Sequence, residues 1–115
     1  TYNGSQWVNT IPMGIDKIQA VTTPASTNID LGAYLTYTAT GANTWAFTTS
    51  ISTGFEASWT LEINNGGLGT QTFTGVRWAG GTAPTLTAAG TDILVFTKNM
   101  TTGIVRGYVA ALDSK

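Results

Sequence analysis

The stretch Phe55–Asn64, FEASWTLEIN, alternates with a period of two. Phe55, Ala57, Trp59, Leu61 and Ile63 fall on one side, and Glu56, Ser58, Thr60 and Glu62 on the other. That pattern describes a β-strand with one face on a core and the other in water. The same period recurs upstream. In YLTYTAT, Leu35, Tyr37 and Ala39 oppose Thr36, Thr38 and Thr40; in NTWAFTT, Trp45 and Phe47 oppose Thr44, Ala46 and Thr48. Downstream, NNGGLG reads as a turn and TQTFTGVRW as a weaker strand, bulged or kinked at Gly75. GGTAPT reads as a loop, DILVFTK as a strand, and TTGIVRGYVAAL as a closing strand with Gly107 inside it.

The N-terminal end is less regular. TYNGSQWVNT carries an Asn3-Gly4 turn signal, IPMGIDKIQAV reads as mostly extended, and Pro24 and Ser26 mark a loop. No segment of helical length shows a 3.6-residue period. Short strands separated by turn signals predict a single all-β domain of two packed antiparallel sheets. This would be a β-sandwich or jelly-roll-like module over residues 25–115, preceded by an extended arm or hairpin at 1–24. Its expected core contains Leu35, Tyr37, Trp45, Phe47, Trp59, Leu61, Ile63, Leu94 and Phe96.

Composition agrees with that class. The chain has 115 residues, enough for one domain with a modest core. Only 10% of its residues are charged, against roughly a quarter in an average soluble domain. Thr, roughly one residue in five, supplies the polar surface and suits the wet face of a pleated sheet. Lys17, Arg77, Lys98, Arg106 and Lys115 are scattered through the sequence, so no basic cluster invites nucleic acid. No apolar run approaches the roughly 18 residues of a membrane helix, and no signal-peptide pattern opens the chain, so membrane insertion is not expected.

The chain has no His and no Cys. Without them the commonest general base, the commonest metal ligand and any disulfide framework are missing. The carboxylates are Asp16, Asp30, Glu56, Glu62, Asp92 and Asp113. Glu56 and Glu62 share a strand face, but six residues of strand put them roughly 20 Å apart. Paired glycosidase carboxylates stand roughly 5–10 Å apart. The pair reads instead as two solvated charges. No catalytic residue, cofactor or metal site is expected. NGS at Asn3 and NMT at Asn99 match the glycosylation sequon, and read as coincidence in a chain rich in Thr and Asn. Trp45 and Trp59 lie on apolar faces and read as core. Trp7, Trp78 and Thr82 remain candidates for exposed ligand contacts, with indole faces suited to a sugar.

One longer run gathers these pieces. VRWAGGTAPTLTAAGTDILVFTKN, Val76–Asn99, followed by GIVRGYVAALD, resembles a recurrent C-terminal domain of tailed-bacteriophage virion proteins, notably tail fibres. The Trp78–Thr87 loop carries most of the likeness, with Ala79 standing where that family often has Pro. Upstream, YLTYTATGANTWAFTTS and GFEASWTLEINNGG are similar to its Thr-rich and inner strands, and YNGSQWVN to a short element of phage fibre chains. The resemblance implies a non-enzymatic structural protein on the virion exterior, a fibre or receptor-binding-type module serving assembly and host attachment. Its partners would be copies of itself, as a homotrimer, other virion proteins, and a host surface glycan or protein. Two alternatives stand beside it: a capsid decoration protein (cement or head fibre), and a carbohydrate-binding lectin-like domain.

Residues 93–96, ILVF, are apolar on both faces, which predicts a central strand or one lying under a partner chain. With Leu94 and Phe96 in the core, Ile93 and Val95 would join Val105 and Val109 of the last strand in an oligomer interface. The competing expectation is that Ile11–Val21 covers that face within one chain.

Overall fold

The computed structural model describes residues 17–115. Ten strands carry the fold: β1 (Ile18–Ala20), β2 (Thr27–Asn28), β3 (Tyr34–Thr38), β4 (Asn43–Trp45), β5 (Phe47–Thr48), β6 (Glu56–Asn64), β7 (Gln71–Phe73), β8 (Val76–Arg77), β9 (Thr91–Asn99) and β10 (Ile104–Ser114). Among the described residues the only helical elements are short 3-10 turns. The described residues are mostly β.

The pairing differs from the antiparallel expectation. One six-stranded sheet runs β1-β3-β6-β9-β10-β8, and two small sheets pair β2 with β5 and β4 with β7. Five of the seven pairings are parallel, and only β6–β9 and β9–β10 are antiparallel. The first half of the chain winds as a coil. It leaves β1, passes through β2, returns as β3 beside β1, passes through β4 and β5, and returns as β6 beside β3. A parallel return needs a connection of about a dozen residues or more, and the segments 21–33 and 39–55 provide it without a helix. Alternation reports which side of a strand is buried and carries nothing about strand direction, so the winding is hidden in the sequence.

One side of the main sheet is packed over its central strands. Leu35, Ala57, Trp59, Leu61, Ile63, Leu94 and Phe96 point inward and meet Trp45 and Phe73 from the small β4–β7 pair. Tyr37 and Phe47 pack against this cluster while half-buried, so every expected core residue contributes to it. The rings interlock: Trp45 stacks on Phe73 at 5.7 Å and meets Tyr37 edge-on at 5.1 Å, while Phe47 reaches Phe96 at 5.0 Å and Trp59 at 5.2 Å. Offset and edge-on contacts of this kind add to area burial. Phe55 is the exception to its own pattern. It lies one residue before β6 and is 66% exposed, because alternation within a strand does not reach past its end.

Two buried polar groups hold the loops. Gln71 Oε1 accepts the Trp45 indole N–H at 2.8 Å, and its amide donates to the Gly41 carbonyl at 2.8 Å. Asp92 is fully buried at the start of β9 and accepts from the Thr87 amide, the Thr87 hydroxyl and the Asp113 amide at 2.6–2.8 Å. Three donors on one carboxylate satisfy a charge that would otherwise be costly to bury. They also tie the 82–90 loop to the end of β10.

The segment 70–78, read above as one kinked strand, is two strands in different sheets. Gly75, at φ +74, turns the chain between them, so β7 pairs with β4 and β8 with β10. Ile18–Ala20, read as part of the arm, forms the edge strand of the main sheet.

Candidate interaction surface

The Trp78 loop decides what is left for contact with other molecules. Trp78 is half-buried and packs on the core, edge-on to Phe73 and Phe96 at 5.7 Å each. Its six-membered ring lies over Gly107 so closely that a Cβ there would fall 2.5 Å from it. Gly80 and Gly81, at φ +67 and +78, then turn the chain away. The loop is therefore a corner seated on β10. Thr82 is exposed, and with Trp78, Pro84 and residues Gly107–Val109 it borders a shallow pocket of about 280 Å³. Of the residues read as exposed ligand contacts, Thr82 is exposed and Trp78 is half-buried with its indole against the core. Trp7 lies outside the described residues.

The expected four-residue interface does not form one patch. In the β9–β10 register Val105 stands opposite Lys98 and Val109 opposite Leu94, whose side chains face the core side. Ile93 and Val95 stand on the other side, opposite Ala111 and Tyr108. A shift of one residue in that register would have brought all four together, and register is not written in either strand alone.

What the outer face presents is a set of rows crossing the sheet. Ile18, Tyr34, Thr60, Val95 and Tyr108 form one row, and Ala20, Thr36, Glu62, Ile93 and Ala111 the next. Ser58, Thr97, Arg106 and Arg77 form a third. No described element covers these rows. The Tyr34 hydroxyl donates to Glu62 Oε1 at 2.8 Å; that bond, burial and the carboxylate charge raise the phenol's pKa above its ordinary value. Glu56 accepts from the Ser58 hydroxyl on the same strand. Each outward glutamate is thus engaged by its neighbour. Lys98 and Arg106 lie on opposite faces of the sheet.

Asp30 sits in the 3-10 turn before β3. The Ser50 hydroxyl (2.6 Å), the Thr49 hydroxyl (2.5 Å) and the Ser50 amide (2.8 Å) all donate to it and hold its pKa below the usual carboxylate value. This is a loop staple at the surface. Among the described residues no three Asp, Glu, His or Cys side chains gather as a metal site, and no helix is long and apolar enough to cross a membrane.

Sequence reasoning passed over Gln71, Asp92 and Gly107. Gln71 and Gly107 have no distinguishing local pattern. Asp92 had one: an acidic residue heading an apolar strand at a position of the buried parity. Searches against family models, curated proteins and solved structures return no match to this chain.

Proposed function

We propose that this chain is a non-enzymatic structural module of a tailed-phage virion, a fibre or receptor-binding-type domain that works as a homo-oligomer on the particle exterior. The observation that carries this reading is the use of the Trp78–Thr87 loop. The stretch on which the family resemblance rests is built as a corner that clamps β10, and it leaves a broad sheet face and a strand edge outside. In this reading the six-stranded sheet and the small parallel pairs act as the two layers of a sandwich. A frame with a rigid aromatic core and polar, Thr-rich outer rows suits a part that must hold its shape while its surfaces touch neighbours.

Two measurements test it. Sedimentation velocity should give a homo-oligomer, with a trimer as the expected mass. Peptides of this chain should co-purify through a density gradient with intact virions released from cells carrying the sequence. Immunogold labelling of those particles separates tail from head, the latter favouring a decoration protein. Absence of the chain from the particles would overturn the reading.

The second reading, a lectin-like domain, draws on the pocket shared by Trp78, Thr82 and Pro84. A glycan array probed with wild type and Thr82→Arg separates it from the first. A signal abolished by Thr82→Arg favours sugar binding at that pocket, and no signal from wild type removes it.

A further inference from the structure

Where β8 runs beside β10, Val76 and Val105 pack on the core, and Arg77 and Arg106 stand on the other face. The two arginines are direct partners in that parallel register, and both are exposed. Among the described residues no carboxylate forms an ion pair with either; the ion pair found there joins Lys115 to Asp113. Like charges set opposite each other on neighbouring strands are destabilising. The chain has only five basic residues, so crowding does not account for two of them standing together. Arg106 borders a hollow of about 170 Å³ with Thr97 and Asn99. A second hollow of about 350 Å³ adjoins it at those two residues and is also bordered by Phe55, Glu56 and Lys98. The ring of Phe55 is exposed while its backbone is fixed. Its carbonyl accepts the Met100 amide at 3.0 Å, and the Gly54 amide donates to the Thr101 hydroxyl at 3.1 Å. Asn99 Oδ1 accepts the amides of Thr101 and Thr102 at 2.9 and 3.2 Å, which fixes the side chain and leaves its NH2 for a ligand.

We propose that this surface binds an acidic saccharide. Arg77 and Arg106 take its carboxylate, sulfate or phosphate group, since the guanidinium fork matches such oxyanions with paired hydrogen bonds. Thr97 and Asn99 take sugar hydroxyls, and the exposed Phe55 ring takes the apolar face of a neighbouring sugar unit. Glu56 and Lys98 offset each other at the Phe55 end, so the uncompensated positive charge lies at the arginine end and sets the direction of the ligand. Arg106 is level with Ser58, which is three residues from Phe55 along the chain and two strands from β10, so about 14 Å separates the two ends of the site. That span suits a short oligosaccharide rather than a single sugar. A polynucleotide suits it less: Ser58 and Thr97 complete the arginine row, and a phosphate chain is held by a longer stripe of cations. The site shares no lining residue with the Trp78–Thr82 pocket, and it goes beyond the virion reading without depending on it.

An array of glycans in matched pairs tests this with the full chain, one member of each pair neutral and the other carrying a carboxylate, sulfate or phosphate. Acidic members should be retained, and their neutral counterparts should bind at least tenfold more weakly. Arg77→Gln combined with Arg106→Gln should weaken binding at least tenfold, and Phe55→Ala at least threefold. Their far-UV spectra should match wild type, because all three side chains are exposed. Lys17→Gln combined with Lys115→Gln removes the same charge elsewhere and should leave binding unchanged. The proposal is overturned if no acidic glycan exceeds its neutral counterpart, or if the lysine pair matters as much as the arginine pair. A signal that survives the arginine changes and is lost with Thr82→Arg also overturns it, in favour of the Trp78 pocket. Retention of single-stranded oligodeoxythymidine as strong as that of any glycan, and insensitive to Phe55→Ala, replaces the saccharide with a general polyanion and overturns it as well. None of these outcomes alters whether the chain is found on virions, so the two readings fail separately.

Discussion

The two faces of the six-stranded sheet are made by the same strands and obey different rules. On the inner face Leu35, Leu61, Leu94 and Phe96 are wholly removed from solvent, and the aromatic rings from β4, β5 and β7 interlock over them. On the outer face Thr36, Thr60, Glu62, Val95 and Tyr108 stand in cross-strand rows with nothing described above them. Stability is concentrated on one side and the freedom to vary on the other. Substitutions on the inner face therefore report on folding, and those on the outer face on contact with other molecules.

The most severe test of this contrast truncates neighbours on β9. Phe96→Ala should cost about 3–5 kcal/mol, because it opens a cavity among packed rings. Val95→Ala, one residue away on the outer face, should cost less than about 1.5 kcal/mol. Urea denaturation of both variants reads the difference, and near-equal costs would mean that the outer face is as tightly covered as the inner one.

The next effect tests the corner. Gly107→Ala places a methyl group against the Trp78 ring and should destabilise by about 1–3 kcal/mol. Combining it with Trp78→Leu should cost less than the sum of the two single changes, since the shorter side chain vacates the space. Strict additivity in a double-mutant cycle would mean that the indole does not rest on Gly107.

A smaller contrast separates the two most buried indoles. Trp45→Phe removes the indole donor to the buried Gln71 carbonyl oxygen and leaves it only the longer bond from the Asn43 amide at 3.3 Å, adding about 1 kcal/mol to the loss of contact area. The Trp59 N–H makes no hydrogen bond among the described residues, so Trp59→Phe removes a buried unpaired donor and should be the milder change. Thermal unfolding of the pair gives the order directly.

The smallest effects are in the pH dependence. Asp30 is held below its ordinary value of 3.8 in the folded state. Its contribution is therefore present above pH 3.8 and disappears as pH falls through the lowered folded value, a loss that Asp30→Asn should remove from the acid limb. Tyr34 is shifted the other way, above 10.0. Its bond to Glu62 contributes fully below pH 10.0 and is lost as pH rises through the raised folded value. Tyr34→Phe should flatten the alkaline limb of the stability curve.

How far these features could be read from the sequence follows from the range of the interactions that make them. Every strand that buries one face over several residues was legible, because alternation is a local consequence of the pleat. Leu35, Trp59, Leu61, Leu94 and Phe96 were placed by that rule alone. The start of β6 was not, since Phe55 carries the pattern one residue upstream of the first residue paired with β9. The candidate interface was half legible. Ile93 and Val95 stand on the open face as expected, whereas Val105 and Val109 turned to the core side through a register set by the β9–β10 turn and its packing. The commitment of the Trp78 indole to Gly107 was not legible, because that contact joins residues far apart in the chain.

The β class, the parity of the main strands and the scarcity of ionisable chemistry all follow from side-chain type and near-neighbour spacing, and the chain carries them before it folds. The parallel course of β1, β3 and β6, the division of residues 70–78 between two sheets, and the burial of Asp92 and Gln71 as ties arise only on folding. So does the pairing of Arg77 with Arg106. Each of these depends on which distant segment supplies the hydrogen-bond partner, and a strand's own residues specify its buried face without specifying its neighbour.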